Sequence, residues 1–158
     1  MDSWYFAYGS NLWTDQMLAR TGSIGDSAHK LRIARLANFR LVFRTLETGG
    51  PAYANILSPG DGVVGVVYRL SAAALATLDR YEGGYNRQSI QVTDEQGEVL
   101  TAIAYVMRPG PGVDFGQPSA EYLKRIVTGA RQHSLPEQYM AEMIDIAAKS
   151  HEIRKRKE

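Results

Sequence analysis

The stretch that decides the fold is YFAYGSNL, Tyr5 to Leu12, a β-rich run of aromatic and small apolar residues that stops on Gly-Ser-Asn. These three residue types end strands and build turns, so the plain reading is an edge strand reaching its end. The other reading is that the turn holds something.

Outward from this stretch, strand-like segments fill most of the first two-thirds of the chain. Residues 4–8 form the first strand. In 39–44, Phe39, Leu41 and Phe43 alternate with Arg40, Val42 and Arg44, the two-residue period of a half-buried strand. Segments 52–57, 63–70, 89–93 and 100–107 read the same way, and DEQGE between the last two suits a hairpin turn. Helical period appears in four places. Residues 14–20 form a short helix capped by Thr14 and closed by Gly22. Residues 71–82 form a better one, with Ser71 as N-cap and Gly83-Gly84 as stop signal. Residues 119–133 and 136–147 make two consecutive C-terminal helices, Pro136 standing where a first turn tolerates it. Strands followed by a helical end, without regular β-α alternation, predict an α+β fold rather than a doubly wound sheet.

The chain has 158 residues, enough to close one core without disulfides. No repeat or linker interrupts it, and RPGPG at 108–112 is a loop within the domain. A single domain is therefore expected over 1–150, followed by a basic, solvated and frayed tail, HEIRKRKE, at 151–158. A net charge of +1 supplies no field to attract nucleic acid or an anionic membrane. Neither a membrane-spanning run nor a signal-peptide layout occurs, so a cytoplasmic protein is the default. Homodimerisation is left open.

Composition and spacing also remove familiar chemistries. With no cysteine, a thiol nucleophile, a thiolate metal site and a disulfide scaffold are excluded together. There is no phosphate-cradling G-x-x-x-x-G-K and no G-x-G-x-x-G. His29, His133 and His151 are too scattered for a zinc helix, TGSIG lacks the spacing of a serine elbow, and Ser10 has no evident base. Acid and base work falls to carboxylates, tyrosines or an isolated histidine.

Among the carboxylates, Glu82 stands out. At roughly 100° per residue, Leu75, Leu78 and Glu82 share one narrow sector of the 71–82 helix, which draws the glutamate inward. Burial and the negative end of the helix dipole would both raise its pKa. Asp79, toward the edge of that sector, is the rival and more easily solvated. The bland alternative for Glu82 is an outward curl at a fraying end, or a pair with Arg87.

Along most of its length the chain resembles the γ-glutamylcyclotransferase family, the AIG2-like or BtrG-like group. The similarity lies in YFAYGSNL, FRLVF at 39–43, SPGDGVVGVVYRL at 58–70, LDRYEG at 78–83, AIAYVM around Tyr105, and PSAEYLKRIVTGARQHSLPEQY at 118–139. Each fragment is weak alone, while their order and spacing make the resemblance specific. It implies a small mixed β-barrel flanked by helices, with a pocket walled by the turn after the first strand. It also implies that the backbone of Tyr5, Phe6, Ala7, Tyr8, Gly9, Ser10, Asn11 and Leu12 binds a γ-glutamyl group. Glu82 would be the acid/base residue, and Tyr85, Tyr105 and Tyr122 would help line the site. Gly9 would let the main chain approach the ligand, and N–H groups of the turn would form a concavity for a carboxylate or oxyanion.

The implied reaction is an intramolecular cyclisation of transferase or lyase type. The α-amine of a γ-glutamyl amide attacks its own γ-carbonyl, closes 5-oxoproline and releases the amine, with no metal or organic cofactor. Two departures from the family bear on the substrate. The sequence runs directly from Glu82 to Tyr85 and Arg87, where many relatives carry several more residues. The motif also reads YGSN rather than the YGSL of glutathione-specific members, so glutathione is not the expected substrate. A tyrosine spaced like Tyr122 against Ile126 also serves as a plain core aromatic. The alternative function is a non-catalytic small-ligand-binding module of the same fold.

Overall fold

The computed structural model describes residues 2–22 and 31–157, with side chains as far as residue 149. Its strands are β1 (Ser3–Ala7), β2 (Arg32–Leu36), β3 (Arg40–Thr45), β4 (Ala52–Leu57), β5 (Val63–Leu70), β6 (Tyr85–Asp94) and β7 (Val99–Met107). The helices are α1 (Thr14–Thr21), α2 (Ala72–Asp79), α3 (Ala120–Gln132) and α4 (Glu137–Lys157), and a short 3-10 turn spans Ser10–Leu12. Five strands close a barrel in the order β1-β5-β2-β6-β7, and β3 and β4 form a separate two-stranded sheet. Every seam of the barrel is antiparallel except β1 against β7, where Trp4 meets Ala102 and Tyr5 meets Ile103 in parallel register. The α+β expectation and the mixed barrel with flanking helices therefore hold.

Closure dictates which residues are apolar. β5 pairs on both edges, with β1 and β2, and is buried from Val63 to Tyr68, the continuous apolar run of a strand covered on both faces. Gly65 lies so close to β1 that an added Cβ would sit 2.2 Å from the Ala7 carbonyl oxygen. The β6–β7 hairpin turns at Asp94–Gly97 as DEQGE predicts. Asp94 Oδ1 accepts from the N–H groups of Gln96 and Glu98, and Gly97 takes φ 86°, a left-handed conformation cheap only for glycine.

Several boundaries differ from the sequence expectation. β2 was not expected, because Arg32 and Arg35 break up the apolar pattern of RIARL, although Ala34 and Leu36 are buried. Val42, assigned to the solvent side of its strand, is 9% exposed, and α4 packs against β3. Thr14 is not the cap of α1. Trp13 holds that position without a side-chain bond, while the Thr14 hydroxyl meets His133 Nε2 at 2.8 Å. Gly22 closes α1 in the left-handed region, and Ser71 caps α2 by accepting from Ala74 N–H, both as expected. The backbone stays helical through the expected frayed tail as far as Lys157. His29, the side chain of His151 and residues 23–25 of TGSIG lie outside the described residues. Among those described, no helix is long and apolar enough to cross a membrane.

Candidate active site

A cavity of about 520 Å3 opens where the turn after β1, the turn after α2 and the inner ends of β4, β6 and β7 converge. Its size falls in the range of roughly 300–1,000 Å3 usual for small-molecule sites. Glu82 lies in its wall, with a side chain 13% exposed.

How Glu82 gets there corrects the helix reading. α2 ends at Asp79, three residues early, and the chain continues in tight turns. Arg80, Tyr81 and Glu82 each donate to the carbonyl three residues back, and Tyr85 donates to Glu82 O. Gly84 takes φ 88° and sends the chain into β6. Leu75 and Leu78 are buried as predicted, and the turns keep Glu82 on their side. Burial is the largest cause of its raised pKa; Asp79 adds to it, while Arg20 and the Asn11 hydrogen bond oppose it.

Asp79 is committed elsewhere. Arg87 grips it through two N–H groups, at 2.8 and 2.6 Å, and the Tyr105 hydroxyl donates to its Oδ1. The Arg87 hydrogen bonds are the main reason its pKa is lowered. Arg87 thus serves Asp79 and not Glu82, and the two carboxyl groups are driven in opposite directions, Asp79 held ionised by its ion pair and Glu82 raised by burial.

Asn11 ties the turn to the acid. Its Nδ2 donates to Glu82 Oε1 at 3.1 Å and to the Tyr5 hydroxyl at 2.9 Å. Its Oδ1 accepts from Gln16 at 2.9 Å and Arg20 at 3.0 Å. The Arg20 guanidinium lies 4.0 Å from Glu82. Beneath the turn, the Tyr68 hydroxyl reaches the carbonyls of Asn11 and Leu12 at 3.1 and 3.3 Å. From outside, α3 presses on it at Gly129, where a Cβ would sit 2.3 Å from Trp13 N.

Two tyrosines fix the opposite wall by gripping the backbone of one residue, Ala54. The Tyr122 oxygen accepts from Ala54 N–H at 3.0 Å, and the Tyr85 hydroxyl donates to Ala54 O at 2.7 Å. Tyr122 packs against the core and also borders the cavity, with its hydroxyl oxygen paired to backbone. Burial pushes the Tyr122 hydroxyl up to about 12, and raises Tyr5, Tyr8, Tyr85 and Tyr105 as well. All are neutral hydroxyls at neutral pH. Gly9 serves the same wall, since a Cβ there would stand 3.1 Å from Ala54 Cβ and 3.3 Å from the Tyr122 hydroxyl.

Of the residues expected at a site, Tyr5, Tyr8, Gly9, Ser10, Asn11, Glu82, Tyr85, Tyr105 and Tyr122 border this cavity. Phe6, Ala7 and Leu12 do not; their side chains are fully buried in the core. The Leu12 N–H, expected to face a ligand, is bonded to Gly9 O at 3.0 Å. Sequence reading missed Arg20, Leu46, Tyr53, Tyr81 and Arg125, which also border the cavity. Arg125 comes three residues after Tyr122, so i+3 spacing from an expected site residue was the available signal there, whereas Arg20 in α1 has no expected site residue three or four positions before it. Leu46 and Tyr53 carry no such signal.

The sequence matches the AIG2-like family over residues 62–143, just over half of the chain. It is 36% identical to a γ-glutamylcyclotransferase of Bos taurus, over 90% of this chain and 77% of the relative. With the γ-glutamylcyclotransferase of Homo sapiens it shares 34% over 88% of this chain and 76% of the relative. A solved structure of a γ-glutamyl cyclotransferase superposes with a TM-score of 0.78 at 32% identity, covering 90% of this chain and 86% of that one. Sequence and barrel agree, and the chain belongs to the γ-glutamylcyclotransferase, or AIG2-like, family.

Proposed function

We propose that the protein cyclises the γ-glutamyl group of a γ-glutamyl amide to 5-oxoproline, with Glu82 as the single acid/base residue. The observation that carries this reading is a buried carboxyl of raised pKa in the wall of a cavity, joined by Asn11 to the turn after β1.

The nucleophile belongs to the substrate. Glu82 as carboxylate takes a proton from the α-ammonium group, whose freed nitrogen attacks the γ-carbonyl carbon. The C–N bond to the amine then breaks, and Glu82 returns a proton to the departing nitrogen. The lactam nitrogen keeps one hydrogen and the others travel to the leaving amine, so the enzyme ends unchanged. One carboxyl group between two nitrogens suffices, and a positioned acid/base contributes roughly 10²–10⁴ in rate. Folding the chain onto itself supplies up to ~7–11 kcal/mol in the best intramolecular cases.

The turn supports the reading by holding the γ-glutamyl end. Among the described residues the N–H groups of Ser10 and Asn11 carry no acceptor, and both residues border the cavity. They would receive the α-carboxylate or the developing oxyanion, where an aimed donor is worth ~3 kcal/mol. Neutral tyrosine hydroxyls, Tyr122 among them, add donors without adding charge.

The reading is tested by incubating the protein with a panel of γ-glutamyl amides and following 5-oxoproline and free amine by mass spectrometry. Equal amounts of both products are expected from at least one substrate. A panel that binds and stays intact over hours would leave a ligand-binding module in place of an enzyme.

A further inference from the structure

We propose that the amine released here carries a bulky apolar group, which rests against Leu46 and Tyr81 at the mouth of the cavity. The inference rests on the cyclotransferase reading and supplies what that reading leaves unnamed, the class of leaving amine.

Among the described residues five large apolar or aromatic side chains are strongly exposed, and two of them, Leu46 at 38% and Tyr81 at 52%, border this one opening. Exposed apolar surface gathered at a pocket mouth marks a ligand contact more often than a chance placement. Both side chains are also held. Leu46 is seated on the turn that follows Glu82, so close that a Cβ on Gly84 would meet its Cδ2 at 2.5 Å. The Tyr81 ring carries the Arg20 guanidinium 5.0 Å from its centroid. That contact fixes the ring, since a cation over an aromatic face is attracted by the ring's electron density.

Their position relative to Glu82 assigns their role. Asn11 approaches Glu82 from the side of the turn, where the γ-glutamyl group lies in the proposed reaction. Tyr81 precedes Glu82 in the chain and Leu46 packs on Gly84 just after it, and both are far more exposed than the acid, so they flank it on the solvent side of the cavity. The leaving nitrogen must reach Glu82 to be protonated, and its substituent then passes between these side chains. A γ-glutamyl group is the size of one amino acid and leaves part of a cavity of about 520 Å3 unfilled.

The test compares kcat/KM for γ-glutamyl-leucine and γ-glutamyl-phenylalanine with that for γ-glutamyl-glycine and γ-glutamyl-glutamate, in the wild type and in Leu46→Ser/Tyr81→Ser. The wild type is expected to favour the bulky apolar substrates by about tenfold or more, and the double variant to narrow that ratio to within about threefold. Tyr81→Ser alone should narrow it part of the way. Equal use of the glycine or glutamate substrate, or a preference that survives both substitutions, overturns the inference. Calorimetric binding of the same four compounds to Glu82→Gln separates the two readings. An apolar preference in binding to the variant, with none of the four turned over by the wild type, supports the rim and removes the chemistry, whereas wild-type turnover without preference does the reverse.

Discussion

Asn11 Nδ2 lies 3.1 Å from Glu82 Oε1, joining the turn after β1 to the acid contributed by the turn after α2. The amide is oriented from its other end, because Gln16 and Arg20 both donate to its oxygen. That leaves Nδ2 facing Glu82 and Tyr5. Asn11→Ala should therefore lower kcat/KM by on the order of 10²-fold through misplacement of the acid, while Asn11→Asp, which brings an acceptor and a negative charge to Glu82, should be no better. Kinetics on one γ-glutamyl amide checks both, and near-wild-type activity of either variant contradicts the role given to the amide.

The pH dependence of kcat/KM should have an acidic limb set by Glu82, above the ordinary glutamate range, because the carboxylate form starts the reaction and burial raises its pKa. Arg20 holds that pKa down and Asp79 holds it up. Arg20→Gln should thus move the limb to higher pH, and Asp79→Asn to lower pH. Shifts of the same sign, or none, would mean that another group controls the limb.

A raised folded-state pKa also fixes a sign for stability. The contribution of Glu82 is fully present below its unfolded pKa and is lost as pH rises through the folded value. At neutral pH the ionised group is therefore a net cost, and Glu82→Gln, which keeps an acceptor for Asn11, should melt no lower than the wild type and slightly higher. The difference should shrink as the pH falls below the glutamate range. Thermal melts across pH check this, and a clearly lower Tm for the variant at pH 7 would contradict it.

Two glycines separate support of the site from the site itself. Gly129→Ala puts a Cβ 2.3 Å from Trp13 N, backbone that has no easy retreat, and should cost about 1–3 kcal/mol, or roughly 2–4 °C of Tm for each kcal/mol. Gly9 has φ −115° and ψ −137°, and its added Cβ would meet the cavity wall at 3.1 Å from Ala54 and 3.3 Å from Tyr122. Gly9→Ala should then lower Tm less than Gly129→Ala does and reduce kcat/KM by roughly tenfold or more. Melting curves and kinetics on the two proteins should show these opposite balances.

Much of this arrangement was legible in the residues. Leu75 and Leu78 place their sector under the protein, and that alone brought Glu82 inward, even though the helix stops at Asp79 and tight turns finish the job. The YGSN turn announced itself by composition. Periodicity is silent where charge interrupts a buried strand, which hid β2, whose Arg32 leans on Asp94, Glu98 and the Trp4 ring. It is silent again where distant segments meet. The grip of Tyr85 and Tyr122 on Ala54, and the rim formed by Leu46 and Tyr81, depend on how the β3–β4 sheet and α3 meet the barrel and not on any local spacing. The assignment of Val42 to solvent failed for the same reason, since both faces of β3 are covered by packing from elsewhere in the chain, α4 among it.

The most direct measurement of the central claim is 5-oxoproline release by Glu82→Gln, beside calorimetric binding of the same γ-glutamyl amide. Binding within about threefold of wild type is expected, with turnover reduced by 10²-fold or more, on the order that a positioned acid/base contributes. A variant that releases 5-oxoproline at a rate comparable to the wild type would show that the proton is carried by some other group.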